Sequence, residues 1–432
     1  MASKTILCPY CYTKFENTDA LYQCENNQKN ADGSPRCTPV DSKKYNEFWQ
    51  IQNPIPYWWP QKKGLMSKLF GGTPTFKDQR CPKCRYPSSR FICPHCHNII
   101  PNDMIEDGAK IISVIGSPSS GKTNYIVSLI HELSKYGHKV KLAVTADDTH
   151  TDGDESGSTD NKYRAFEKAL FDKLKSGEER RVLNKTQIKK VEVPMIFRLD
   201  QQEPKHHIYL VFYDTAGERF QENLKNNVRY LRESSAVIIL LDTLALDRVY
   251  EILEEEGLDG LGGKVDGKID EIQTAIVNSR ITDQIYSKPT AFVLSKFDAV
   301  LDHYDKLDIN VDEFMDGGKR IDSSYKKTGV VDLEKINAIS ATIENALEGP
   351  WEQGRLRLFA HNWASAKNKA LDYDEQDMFD PQNNYKFFGV SALGEMPDET
   401  MRLSDNIKPY RVMDPLMWVL YKLGEFKIKF KN

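Results

Sequence analysis

The segment AKIISVIGSPSSGKTNYIVSLIHELSKYG, residues 109 to 137, restricts the fold more than any other part of this 432-residue chain. Ile111 to Ile115 is a short β-branched run that reads as a buried strand. Gly116-Ser117-Pro118-Ser119-Ser120-Gly121-Lys122-Thr123 follows and matches G-x-x-x-x-G-K-[ST]. Beyond it Ile126, Leu129, Ile130 and Leu133 recur at helical spacing, and Gly137 is placed to end the helix. A strand that enters a glycine-containing loop and leaves it as a helix presents backbone N–H groups to a phosphate at the positive helix end. Lys122 is expected to bridge the β- and γ-phosphates, the Thr123 hydroxyl to ligate Mg²⁺, and Asn124 to complete the phosphate-side set.

Four later segments end as strands of the same sheet would. HHIYLVFYDTAGE is an apolar run closing in Asp214-Thr215-Ala216-Gly217, the D-x-x-G pattern of a γ-phosphate sensor. Asp214 would hold Mg²⁺ through water, and the Gly217 N–H would meet the γ-phosphate. Ala236 to Leu241 reads as a third core strand, PTAFVLSKFD places Ser295-Lys296-Phe297-Asp298 at the end of a fourth, and YKFFGVSALG places Ser391-Ala392-Leu393 at the end of a fifth.

Over roughly residues 109 to 424 the chain resembles the Ras-like branch of P-loop GTPases. The resemblance implies an α/β fold with a mostly parallel sheet and flanking helices, GTP or GDP as ligand, and Mg²⁺. It also implies that Lys296 packs its stem on guanine, that Asp298 accepts from guanine N1 and N2, and that the backbone at Ser391, Ala392 and Leu393 contacts guanine O6. Ser295 replaces the usual asparagine or threonine of that motif, and Leu393 replaces the usual lysine. Between Thr123 and Asp214 the spacing is about twice that of the family, with an extra strand expected at Lys139 to Ala146, an acidic loop at Asp147 to Asp160, and a helix carrying Tyr163, Phe166, Leu170 and Leu174. This insertion is similar to that of bacterial double-GTPase proteins of conflict and defence systems, some of which begin with a zinc module. Thr186, followed by a β run, is the candidate switch I threonine and a third Mg²⁺ ligand; Thr149, Thr151 and Thr159 are its rivals. The acidic loop lacks the spacing and terminal glutamate of an EF-hand and reads as solvated.

All eight cysteines precede residue 97, which marks a separate module over residues 1 to 100, ahead of a nucleotide domain over 109 to 432 with insertions at about 138–185 and 247–285 and a largely helical segment at about 331–370. Cys8-x-x-Cys11, Cys81-x-x-Cys84 and Cys93-x-x-Cys96 are knuckle pairs, and two thiolates so spaced reach one Zn²⁺ at about 2.3 Å. The short gap between the last two pairs suits a zinc ribbon made of Cys81, Cys84, Cys93 and Cys96, leaving Cys8, Cys11, Cys24 and Cys37 for a second zinc; an interleaved grouping remains open. Eight thiols fill two sites, so His95 and His97 stay outside the ligand sets. Lys83, Arg85 and Arg90 would let this module touch nucleic acid, although solvated surface charge is the simpler expectation. The aromatic segment Tyr45 to Gln61 is expected to pack within its own module.

With 59 basic and 63 acidic residues the net charge is −4, which supplies no global attraction to nucleic acid. The longest apolar stretch, AVIILLDTLAL, is broken by Asp242, so no membrane helix is expected, and MASKTILCPYC lacks the apolar core of a secretory signal. A cytoplasmic protein is the resulting expectation, and it disfavours disulfides among the cysteines.

The function that follows is a GTP-binding switch that signals to an effector or regulatory protein. In the related switches a glutamine follows the D-x-x-G glycine, and here Glu218 stands there. An ionised carboxylate can only accept hydrogen bonds and sits near an anionic transition state, so hydrolysis is expected to be slow, with Lys122, Thr186 and Glu218 as the catalytic set. The competing readings are an ATP-dependent enzyme on the same phosphate loop and a zinc-bearing scaffold around a structural nucleotide.

Overall fold

The β-branched run ahead of the glycine loop becomes the central strand of a seven-stranded sheet in a computed structural model of the protein. The structure describes residues 4–60, 79–107, 109–116, 120–137, 142–146, 159–173, 178–183, 194–202, 205–212, 231–257, 288–307, 309–323, 325–348, 385–398, 400–404, 406–425 and 430–431. The sheet strands are β1 (Ala109–Gly116), β2 (Leu142–Ala146), β3 (Met195–Gln201), β4 (His206–Phe212), β5 (Ala236–Asp242), β6 (Thr290–Ser295) and β7 (Tyr385–Gly389). They lie in the order β7-β6-β5-β1-β4-β3-β2. β7, β6, β5, β1 and β4 run parallel, whereas β3 is antiparallel to both β4 and β2.

Parallel strands covered on both faces must be apolar on both faces, and β5 meets that demand with all seven residues buried. Side chains alternate between the two faces, so Val237, Ile239 and Leu241 join one apolar cluster and Ala236, Ile238 and Leu240 the other. The second face carries α1 (Lys122–Tyr136) and α4 (Asp414–Lys422), with α2 (Thr159–Phe171) against α1. Leu416, Val419 and Leu420 are buried on α4, and Leu423, just past it, is half-buried, as the sequence pattern requires. The extra strand and helix expected in the insertion are therefore β2, which extends the sheet edge, and α2, which docks on the helix of the phosphate loop. His131 of α1 meets Glu167 of α2 at 3.0 Å and stacks on Phe171 with centroids 3.8 Å apart. Helix α3 (Leu333–Glu348) covers the first face near β7 and forms the described part of the expected helical segment. The acidic loop at 147–158, the glycine-rich stretch 258–268 and residues 349–370 lie outside the described residues. Among the described residues no helix is long and apolar enough to cross a membrane.

The cysteine module groups its thiols differently from the ribbon expectation. Cys8, Cys11, Cys93 and Cys96 converge in one cluster, and Cys24, Cys37, Cys81 and Cys84 in the other, with the Sγ atoms of each set all within 4.8 Å of one another. The physical reason is strand pairing: Leu21–Gln23 pairs antiparallel with Phe91–Ile92, which in turn pairs with Ile99–Ile100. That ladder places Cys24 beside the Cys81 knuckle and leaves the Cys93 knuckle to meet the Cys8 knuckle. Four sulfurs at about 2.3 Å from a tetrahedral ion lie about 3.8 Å apart. The contacts Cys8–Cys96 at 3.7 Å, Cys11–Cys93 at 3.8 Å, Cys24–Cys84 at 3.5 Å and Cys37–Cys81 at 3.7 Å fit two zinc ions. Each set supplies four protein ligands, so the ions would stabilise the module and leave no position for a substrate.

Among the described residues, contacts within the module engage several of its aromatics and two of its loop cations. Trp59 stacks near Tyr22 with centroids 5.9 Å apart, and Trp49 donates to Asn98 at 2.7 Å. His97 is buried, hydrogen-bonds Ser42 at 2.6 Å, and takes no part in either thiol set. Lys83 lies over the Tyr57 ring at 4.4 Å, and Arg90 pairs with Glu25 at 3.9 Å. The module also packs on the first face of the sheet: its cysteines, the fully buried Met104 and Ile105, and β1, β4 and β5 form one continuous apolar cluster. Burying two such side chains contributes on the order of 2 kcal/mol each.

The grouping has a direct test in zinc content. The double variant Cys11→Ser with Cys93→Ser removes ligands from a single cluster and is expected to lose one zinc, whereas Cys11→Ser with Cys84→Ser loses both. Metal analysis of the purified variants measures this, and the ribbon grouping demands loss of both ions from the first pair.

Candidate functional site

The C-terminal ends of β1, β5, β6 and β7 stand side by side along one edge of the sheet, which is where open α/β sheets bind ligands. At the end of β1, Gly116 pairs with Leu240 of β5, and a Cβ on Gly116 would lie 2.7 Å from the Leu240 carbonyl oxygen. Only glycine lets the chain turn away there. Gly121 begins the helix in the left-handed region at φ 79°, a conformation glycine adopts without strain. Lys122 follows as the first helical residue, is buried, and donates its Nζ to the Gly116 carbonyl at 2.9 Å. Its ammonium therefore folds back onto the end of β1. Thr123 and Asn124 are buried in the first helical turn. The Ser120 hydroxyl and the Asn124 Oδ1 are buried polar atoms that no described residue hydrogen-bonds, a disposition that fits a polar ligand between β1 and the helix.

At the neighbouring strand ends a second group is assembled. Ser295 closes β6, and its hydroxyl donates to Leu241 of β5 at 3.1 Å, while the Thr243 hydroxyl donates to the Ser295 carbonyl. Lys296 lies in the left-handed region at φ 56°. Phe297 is fully buried, packs on Phe314 with centroids 5.0 Å apart, and fills the space over Gly389, where a Cβ would come within 2.6 Å of its ring. This pin turns Asp298 toward the loop that follows β7. Asp298 is buried and hydrogen-bonded by Ser391. Ser391 in turn accepts from the Gly394 N–H at 2.7 Å and pairs with Tyr410 through two backbone bonds. Gly394 sits at φ 80°, with the Lys408 carbonyl where a Cβ would be, so that loop also requires glycine. Leu393 packs against the apolar cluster of the second face, which explains an aliphatic residue there.

The structure thus brings together Gly116, Ser120, Gly121, Lys122, Thr123 and Asn124 on one side, and Lys296, Asp298, Ser391, Ala392 and Leu393 on the other. Ser117, Pro118, Ser119, Thr186, Asp214, Gly217 and Glu218 lie outside the described residues. Of the rival threonines, Thr159 opens α2, and Thr149 and Thr151 are also outside the described set. One candidate site residue escaped the sequence reading. Asp242, seen there only as a break in an apolar run, ends β5 and pairs with Lys296 at 2.7 Å. Its signal was position alone: an acid closing a buried core strand beside the phosphate loop.

A family model described as Double-GTPase 2 matches residues 110–342, more than half of the chain. No curated protein matches. Among solved structures, the chain is similar to the signal recognition particle receptor SRb-GTP/SRX complex from Chaetomium thermophilum, at 13% identity over 67% of this chain and 93% of that one, with a TM-score of 0.26. It is also similar to a protein from Thermus thermophilus, at 13% identity over 72% of this chain and 40% of that one, with a TM-score of 0.27.

Burial holds the Asp298 carboxyl above the ordinary carboxylate range, and the Ser391 hydrogen bond opposes that rise. The charged form therefore costs the fold stability above the raised pKa, and the cost is gone once pH falls below the ordinary value near about 4. Two N–H donors from a guanine edge would stabilise the charge and lower that pKa. Guanine-nucleotide binding should then release a proton between the two values, and affinity should rise with pH through that window. Titration calorimetry in two buffers of different protonation enthalpy measures the release; Asp298→Asn is expected to abolish it, and an unchanged release in that variant removes Asp298 from the base contact.

Proposed function

The chain belongs to the Double-GTPase 2 family, and from that membership we propose a GTP-binding regulatory switch with slow Mg²⁺-dependent hydrolysis, read by a protein partner in a bacterial defence system. The observation that supports it is the meeting of two loops at one sheet edge. Buried Lys122 at a helix start lies on one side, and buried Asp298 with its Ser391 partner on the other. A phosphate loop alone serves ATP and GTP equally well. A buried carboxylate at the end of β6, two strands from the phosphate loop, is the acceptor that a guanine N1–H and N2–H edge needs and that adenine, with an acceptor at N1, cannot satisfy.

In this reading the backbone of residues 116–121 wraps the β-phosphate, and Lys122 neutralises charge between the β- and γ-phosphates. Thr123, Asp214 and Thr186 would hold Mg²⁺, which supplies charge neutralisation at the transferring phosphoryl group. Glu218 would stand beside the attacking water, where a carboxylate accepts a proton or hydrogen bond but cannot donate one to the transition state. Hydrolysis is consequently slow, and the triphosphate state is long-lived. Switching follows from the γ-phosphate ordering the segments that carry Thr186 and Gly217 and releasing them on its loss. A partner that binds only one of these states reads the switch, and the preference for one state is the whole of its energetic input.

Two substitutions test the reading. Asp298→Asn is expected to weaken GTP binding on the order of 100-fold, the cost of mispairing two buried hydrogen bonds to a charge, while strengthening xanthosine triphosphate; unaltered preference for GTP in competition titrations against ATP and xanthosine triphosphate would refute guanine selection. Glu218→Gln is expected to accelerate single-turnover GTP hydrolysis by roughly tenfold or more, because the amide restores a donor beside the water. Loss of turnover in that variant would instead make Glu218 a general base.

A further inference from the structure

We propose that Asp242 is a positioning residue for base recognition: its carboxylate fixes the Lys296 ammonium so that the lysine stem is held in place before the base arrives. This rests on the reading of Lys296 and Asp298 as the base-contacting pair. Asp242 is the last residue of β5, opposite Ser295 in the parallel register and two positions beyond the Leu240–Gly116 pairing. It therefore stands between the phosphate loop and the Ser295-Lys296-Phe297-Asp298 turn.

Its two carboxylate oxygens have separate tasks. Oδ1 accepts from the Leu244 N–H at 3.2 Å, which fixes the chain leaving β5, and Oδ2 accepts from Lys296 Nζ at 2.7 Å. The Asp242 side chain is 6% exposed and that of Lys296 28%, so the bond is formed at the mouth of the site by an acid that water hardly reaches. The rest of the turn is fixed already, by the Ser295 hydroxyl on Leu241, by Thr243 on the Ser295 carbonyl, and by buried Phe297. The four-carbon stem of Lys296 is what remains to be ordered, and a freely rotating stem would lose that freedom only on meeting the base. Anchoring both its ends, at a turn in the left-handed region and at a buried carboxylate, removes this loss from the binding step.

A cap that merely supports the chain after β5 would not distinguish whether Lys296 is present, so a double-mutant cycle separates the two roles. Binding of GDP and of inosine diphosphate, which lacks the guanine amino group, is measured by titration calorimetry for the wild type, Asp242→Ala, Lys296→Ala and the double variant. Asp242→Ala is expected to weaken both nucleotides about tenfold when Lys296 is present, and less than about twofold when it is already alanine. The two nucleotides should lose equally, because a stem packed on the ring face does not read the exocyclic group. Asp242→Asn keeps an oxygen for the Leu244 N–H and lacks the charge; it should fold as the wild type does and show an intermediate loss. Equal losses in both lysine backgrounds, or no loss, overturn the proposal. A wild-type chain that binds no GDP fails the base-recognition reading itself, and a wild type that binds GDP with an additive cycle fails only the role of Asp242.

Discussion

The site depends on one constraint above others, the parallel alignment of β1, β5, β6 and β7 in adjoining positions. Because all four strands end on the same edge, residues as far apart in sequence as Gly116 and Ser391 are set along one side of the sheet. Parallel pairing demands crossover connections and apolar strands on both faces, and the all-buried β5 and β6 supply it. In β5 and β6 the polar residues are confined to the strand ends. Asp242, Ser295 and the Ser391 loop mark where each strand passes from core to site.

Much of this architecture was legible because it is written in local pattern. The phosphate loop announces itself by a strand, two glycines, a lysine and a helical repeat within a single stretch, and every one of those signals is a short-range requirement of the backbone. The strand ends at Ser295 and before Ser391 were legible for a related reason, as apolar runs terminating in polar turn residues. The thiol grouping was not legible in the same way. Knuckle pairs record which cysteines share a turn, but the partner of each knuckle is decided by the pairing of Leu21–Gln23 with Phe91–Ile92 across a long gap in sequence. The closest pairs along the chain, Cys81-x-x-Cys84 and Cys93-x-x-Cys96, are consequently split between two clusters. Asp242 was missed because an acid that ends a strand has no periodicity; its partner Lys296 comes from the neighbouring strand, 54 residues later.

The interleaving also changes what zinc ions bound there would do mechanically. Had each half of the module held its own ion, the two halves could move separately. In the observed grouping each thiol set draws on both halves of the module, so an ion in each would cross-link residues 4–60 to 79–107 twice. Cross-links that close long loops remove conformations mainly from the unfolded chain, which lets a small module with little regular structure hold a defined surface.

That surface is turned inward as well as outward. Asp103 pairs with Arg198 of β3 at 3.0 Å, Lys14 pairs with Glu233 just before β5 at 2.6 Å, and Met104 and Ile105 join the apolar cluster beneath β4. β3 follows directly on the segment that contains Thr186, and β4 leads directly into the one that contains Asp214. The strands bordering both candidate nucleotide-sensing segments are therefore the strands against which the cysteine module is packed. Close-packed interiors transmit displacement poorly by gradual deformation and well by discrete shifts between packed states. With a metal ion in each thiol set, the module seated on those strands would offer a rigid body for such a shift to act against, and its position follows from one continuous core.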